Sequence, residues 1–152
     1  MYRQGLSRYS PKWPRIERRW HGPVYRFPRN AAEQSEAIVV TEASADVLRP
    51  YLSEWLVDVT QSQPLVALVQ DGRAVSLCCS GRRTPDAHEA AVETAVPFRG
   101  RGYGTQVVTR WAQAVAEAGQ IPLYSTLWEN VASRALAETL GLIRYGTDMH
   151  FA

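Results

Sequence analysis

Three glycines alternate through Arg99-Gly100-Arg101-Gly102-Tyr103-Gly104-Thr105, between two segments of different hydrophobic period. Upstream, His88 to Val96 reads as a β-strand. Downstream, Tyr103 to Ala118 places Val107, Val108, Trp111 and Val115 on one helical face, and Gly119 closes that helix as a C-cap. A strand running into a glycine turn and then a helix makes an anion site. The N–H groups of the helix's first turn converge, and its dipole adds about half a positive charge there. Glycine permits positive φ and close approach of backbone to ligand. Arg99 and Arg101 add charge. The run lacks the G-x-x-x-x-G-K-[ST] spacing of a nucleotide-triphosphate loop. Thr105 stands where a dinucleotide fingerprint needs its third glycine, and the nearest downstream acid, Glu117, lies inside the helix. Two readings stand at this point: a ligand-free helix cap, or a pyrophosphate cradle.

Beyond the helix, Pro122 to Thr126 reads as a short strand. Asn130, Ser133, Leu136 and Ala137 follow, and the segment ends in Leu140-Gly141-Leu142. The order R-G-x-G-x-G, helix, strand, N-x-x-S, helix, L-G-L resembles the GNAT superfamily of acyl-coenzyme A N-acyltransferases, over about residues 65–152. That resemblance implies an α/β (α+β) fold with a central mixed, mostly antiparallel sheet flanked by helices. It implies acetyl-CoA as cosubstrate and a strand that splays from its neighbour to admit the pantetheine arm. By alignment on Arg99, the arm would pair with the backbone of Val92, Glu93 and Thr94. The pyrophosphate would fall on Arg99, Gly100, Arg101, Gly102, Tyr103, Gly104 and Thr105, with Asn130 and Ser133 as further coenzyme contacts. Asn130 reads equally well as a plain N-cap.

The resemblance also implies amine acylation by direct attack in a ternary complex. Such a reaction needs a neutral amine, a polarised carbonyl and a protonated leaving thiolate. Several members carry a tyrosine acid seven residues after the Asn, where this chain has Ala137. Some place a glutamate five residues before it, where this chain has Ser125. The base and acid are therefore sought elsewhere. Glu89 and Glu93 lie four apart on the long strand and share a face; they are base candidates or structural ion pairs. His88 points to the opposite face. Tyr124 and Tyr145 are acid candidates, and Ser125 could bond the thiol or an acyl oxygen. The acceptor expected is a small-molecule amine; the alternatives are a protein or peptide amine and a non-catalytic acyl-CoA-binding module.

The length of 152 residues suits one core-forming domain. No apolar run reaches the roughly 18 residues of a membrane span, and Met1 to Ser10 lacks the apolar stretch of a secretory signal. Cys78 and Cys79 are strand neighbours that face opposite ways. No metal-ligand spacing occurs, and a reducing cytoplasm is the expected compartment. Residues 1–29 carry eight Lys/Arg against one acid, whereas the remainder carries nine against fourteen. Residues 1–36 are read as a basic, aromatic-rich arm with Pro11, Pro14, Pro23 and Pro28 as breakers, and residues 37–152 as the domain. The arm is expected to pack on the domain or a second subunit, as in a homodimer, in preference to binding nucleic acid. Within the domain, Ala37 to Thr41 reads as a strand and Ser44 as the cap of a helix reaching Leu56. Pro64 to Val69 and Ala74 to Cys79 read as a hairpin about Asp71-Gly72, Gly81 to Ala87 as a loop, Asn130 to Leu140 as the last helix, and Gly146 to Phe151 as the last strand.

Overall fold

The computed structural model describes residues 19–29 and 34–151. Strands β1 (Arg19–Arg26) and β2 (Ile38–Val39) precede a run of tight turns: a 3-10 segment Glu42–Leu48, the short α1 (Arg49–Leu52) and a second 3-10 segment Ser53–Asp58. Then come β3 (Leu65–Gln70), β4 (Arg73–Arg83), β5 (Ala87–Thr94), α2 (Tyr103–Glu117), β6 (Ile121–Ser125), α3 (Val131–Thr139) and β7 (Ile143–Phe151). All seven strands join one sheet in the order β2-β3-β4-β5-β6-β1-β7. Every pairing is antiparallel except β5 with β6.

The hairpin, the long strand and the two main helices form where the sequence predicts them. Asp71 and Gly72 both take positive φ (51° and 73°), which a two-residue hairpin turn demands. Three expectations change. Residues 19–26, expected within the irregular arm, form β1, seated between β6 and β7. Pro23 is tolerated there because its carbonyl takes the Thr126 N–H at 3.3 Å, so its missing N–H lies on the β6 side. The β6 ladder begins only at Val24. Second, Gly81 is no loop residue. β4 runs to Arg83 with a bulge between Ser80 and Arg82, and the connection shrinks to Thr84-Pro85-Asp86, held by Thr84 Oγ1 accepting the Ala87 N–H at 3.0 Å. A bulge glycine and a loop glycine look alike in sequence. Third, the helix expected from Ser44 to Leu56 is a succession of 3-10 and α turns. Its N-cap position is Thr41, whose N–H donates to Ser44 Oγ at 3.1 Å. Residues 1–18 lie outside the described residues.

The sheet has a core on each face. Helices α2 and α3 cover one face through Val107, Val108, Trp111, Val115 and Ala137, packed on Val66, Val75, Cys78, Ala90 and Tyr124. The turns at 42–58 cover the other through Leu48, Leu52 and Trp55, packed on Leu65, Leu77, Cys79 and Ala91. Cys78 and Cys79 thus face opposite cores, as predicted, and burial pushes the Cys78 thiol up. Each fully buried Leu, Val or Trp contributes about 1.5–3 kcal/mol. Among the described residues, the second core draws on β3, β4 and β5 and on nothing from β6, β1 or β7. That half of the face carries the cleft described next.

Candidate active site

The sheet splits in its middle. β5 and β6 pair at Ala87–Ile121, His88–Pro122 and Glu89–Leu123, and no further. From Ala90 onward β5 stays on β4 while β6 follows β1. The carbonyl of Glu93 accepts the Ser76 hydroxyl at 3.4 Å, and the Ala95 N–H reaches Val75 O, so both point to β4. Strand alternation turns the backbone of Val92 and Thr94 into the gap. Of the three residues aligned to the pantetheine, Val92 and Thr94 therefore have backbone facing the opening, and Glu93 does not.

The glycine loop closes the wide end of the gap. Gly100 and Gly102 take positive φ (78° and 79°). Gly102 is the N-cap of α2 and supplies no side-chain cap, so the first-turn N–H groups stay open to a ligand. Arg99 Nε donates to Thr94 O at 2.9 Å and clips the loop to β5. Arg101 lies over the Phe98 ring, 5.5 Å from its centroid. Thr105 Oγ1 donates to Gly102 O at 2.7 Å. The Tyr103 hydroxyl accepts from Gln70 Nε2 at 2.7 Å, and that bond, with one from Arg101, lowers its pKa. A Cβ on Gly104 would sit 2.9 Å from Leu136 Cδ1, so glycine here lets α3 lie close to the loop.

At the narrow end, on the face away from α2 and α3, four strands bring a charged cluster together. Glu89 lies on the last paired rung of β5. Ser125 Oγ donates to Glu89 Oε1 across the opening. Arg82 Nε donates to Glu89 Oε2 at 3.0 Å, and its Nη2 reaches Asp148 Oδ2 of β7 at 3.5 Å. A cleft of about 430 Å³ opens over this cluster, walled by Val24, Leu123, Arg83 and Tyr145. Burial, then Glu89 and Asp148, raise the Tyr145 phenol. Sequence reasoning named Glu89, Ser125 and Tyr145 but missed Arg82 and Asp148. The bulge at Gly81 sets Arg82 opposite Glu89, and Asp148 arrives only because β1 joins β7 to β6. A glycine inside a strand pattern is the one local cue. Glu93, on the same face as Glu89, hydrogen-bonds the Glu54 side chain. Burial first, then that shared proton and the repulsion, raise its carboxyl, while a bond to Trp55 opposes them.

The other candidates are placed within the chain's own packing. Tyr124 is 1% exposed, and its hydroxyl bonds Ser133 Oγ and the Ser133 carbonyl; burial drives its pKa up strongly. Asn130 Oδ1 accepts the Ser133 N–H at 3.0 Å, the N-cap reading. His88 Nδ1 lies 2.7 Å from Ser80 Oγ, which also accepts from Trp111 Nε1 at 3.1 Å. Burial, then Arg83, lower its pKa.

The family model described as GNAT acetyltransferase matches residues 66–147, more than half of the chain. A GNAT-family protein from Novosphingobium aromaticivorans DSM 12444 aligns with a TM-score of 0.74 and 17% identity, over 90% of this chain and 65% of that one. A GCN5-related N-acetyltransferase-like protein from Streptococcus suis 89/1591 aligns at 0.66 and 18%, over 89% and 62%. The aminoglycoside N-acetyltransferase AAC(6')-Iy, solved in complex with CoA, aligns at 0.54 and 16%, over 70% and 90%. The chain thus spans somewhat less than two thirds of the first two structures it matches. No curated protein matches it in sequence. Among the described residues, no helix is long and apolar enough to cross a membrane.

Proposed function

Because the chain belongs to the GNAT acetyltransferase family, we propose that it transfers an acetyl group from acetyl-CoA to the primary amine of a small molecule. The observation that carries this reading is the gap between β5 and β6, with an open helix N-terminus at one end and the Glu89–Ser125 bridge at the other. The residues fit the coenzyme. Open first-turn N–H groups and positive-φ glycines suit the pyrophosphate, and the inward-facing backbone of Val92 and Thr94 suits the amide-bearing arm. The thioester supplies the acetyl group and a thiol leaving group.

Glu89 receives the proton lost by the acceptor ammonium, directly or through one water. Arg82 and Ser125 hold its two oxygens in place. The freed nitrogen pair attacks the carbonyl carbon, a C–N bond forms, the C–S bond breaks, the nitrogen gives up its second proton, and the leaving sulfur takes one up. Tyr145 is the phenol that lines the same cleft and feels Glu89 and Asp148; Tyr124 is held on Ser133.

Calorimetric titration with acetyl-CoA, beside dephospho- and desulfo-coenzyme A, tests the cradle. Binding that weakens when phosphate is removed supports it, and no binding defeats it. Glu89→Gln tests the chemistry. The expected outcome is a kcat lower by about 100-fold or more, with acetyl-CoA affinity within twofold of the parent. A kcat near the parent value would remove Glu89 from the mechanism.

A further inference from the structure

We propose that Arg99 sets the specificity of the gap, closing it to thioester arms that arrive without a pyrophosphate and yielding it to the complete coenzyme. The inference rests on the transferase reading and deepens it. Past the last β5–β6 rung, at Glu89, the β5 backbone of Val92 and Thr94 faces the gap. Thr94 is fixed from the β4 side, where its hydroxyl lies 2.8 Å from Ser76 Oγ. Its carbonyl is the last on β5 to face the gap, and Arg99 Nε donates to it at 2.9 Å. Arg99 is exposed and ends the 3-10 turn Val96–Phe98. Gly100 follows at positive φ, with open space where a Cβ would stand. The Arg99 side chain can therefore turn without moving either core. The loop's other cation, Arg101, lies over the Phe98 ring instead.

An amide-bearing arm joins β5 as an added strand would, through the same backbone groups. A donor to a carbonyl stands on the oxygen's open side, which for Thr94 is the gap. The guanidinium thus occupies space that the arm needs, whichever lone pair it takes. For an arm alone the exchange is poor. Arg99 leaves the carbonyl for water, and a neutral amide bond replaces a charge-assisted one. For the complete coenzyme, Arg99 leaves the carbonyl for a phosphate oxygen at the loop on which it already stands, beside the open first turn of α2. That bond is ionic on both sides, and the planar fork can take two oxygens. One residue therefore opposes one ligand and favours the other. A ligand shifts such an equilibrium only by what it gains in the opened state, and the pyrophosphate supplies that gain.

The test compares acetyl-CoA with S-acetylpantetheine on the parent and on Arg99→Ala, by calorimetry, with NMR titration for the weaker ligand. The expected changes have opposite signs. The variant binds acetyl-CoA more weakly by about tenfold or more, and acetylpantetheine more tightly by about threefold or more. A plain phosphate contact would weaken the first and leave the second unchanged; a structural residue would weaken both. Either result would overturn the proposal and leave the transferase standing. The Arg99 Nε–H resonance of the parent gives a second reading. It should be protected from exchange in the free protein and lose that protection when acetylpantetheine fills the gap, although no phosphate is present. A signal that stays unchanged would overturn the proposal, and should the variant fail to fold, this reading decides alone. Failure of acetyl-CoA itself to bind would overturn the transferase reading as well.

Discussion

At the residue scale, the two ends of the gap respond differently to substitution. Gly102→Asp puts a carboxylate at the N-cap, where it takes the first-turn N–H groups for itself. Asp tolerates positive φ at a cost of about 1 kcal/mol, so the domain should stay folded while acetyl-CoA affinity, measured by calorimetry, falls more than tenfold. Gly104→Val acts otherwise. Its branched Cβ meets Leu136, whose end is already 2.9 Å from an ideal Cβ. Overpacking of about 1–3 kcal/mol should lower the melting temperature as well as affinity. Glu93 gives a pH signature. Its folded pKa is raised by burial and by Glu54, so its contribution to stability is full below the unfolded pKa and is lost as pH rises through the folded one. Glu93→Gln should therefore melt higher than the parent at pH 8, with the advantage gone at pH 4. The glycine turn was legible because its signal is local: three glycines, a strand before and a helix after. Arg82 and Asp148 were not: the one local cue to Arg82, the bulge at Gly81, reads equally as a loop glycine, and Asp148 depends on a strand pairing remote in sequence.

β1 is the element that most separates expectation from structure. Its sequence, RWHGPVYR, carries glycine, proline and three charges or imidazoles in a basic context, and reads locally as a tail. Tertiary pairing overrides that: β7 flanks its whole length and β6 its last three residues. Gly22 is needed because a Cβ there would run into the Thr126 carbonyl and Leu127 Cα. Gly22→Ala should cost about 2–4 kcal/mol and appear as a lower urea midpoint with unchanged slope. Deleting residues 1–29 removes a strand from inside the sheet, and should abolish the cooperative thermal transition along with coenzyme binding. The hairpin of β3 and β4, by contrast, follows from Asp71-Gly72 and alternating apolar residues. The turns at 42–58 kept their apolar spacing, and thus their core face, without keeping helical geometry, since Leu48, Leu52 and Trp55 are buried all the same.

For the whole molecule, the sheet is two halves joined at three rungs of β5 and β6. A ligand lying in the gap touches both, so binding should stiffen the joint. Acetyl-CoA at a hundredfold excess over Kd adds about 2.7 kcal/mol of stability, which for a domain of this size raises Tm by roughly 5–10 °C; a thermal-shift titration measures it. The half that carries the cleft is also the half whose pairs join the two ends of the described chain. Arg19 meets Phe151, and Val24 meets both Gly146 and Ser125. On the ribosome, β1 has no strand to pair with until β6, and then β7, have left the exit tunnel. The β2–β5 half holds its partners within neighbouring sequence and can form early; loop closure delays the other half. The cleft is then the last part of the described sheet to form. A nascent chain has β5 before it has the cleft, whose last wall, Tyr145 and Asp148, comes with β7.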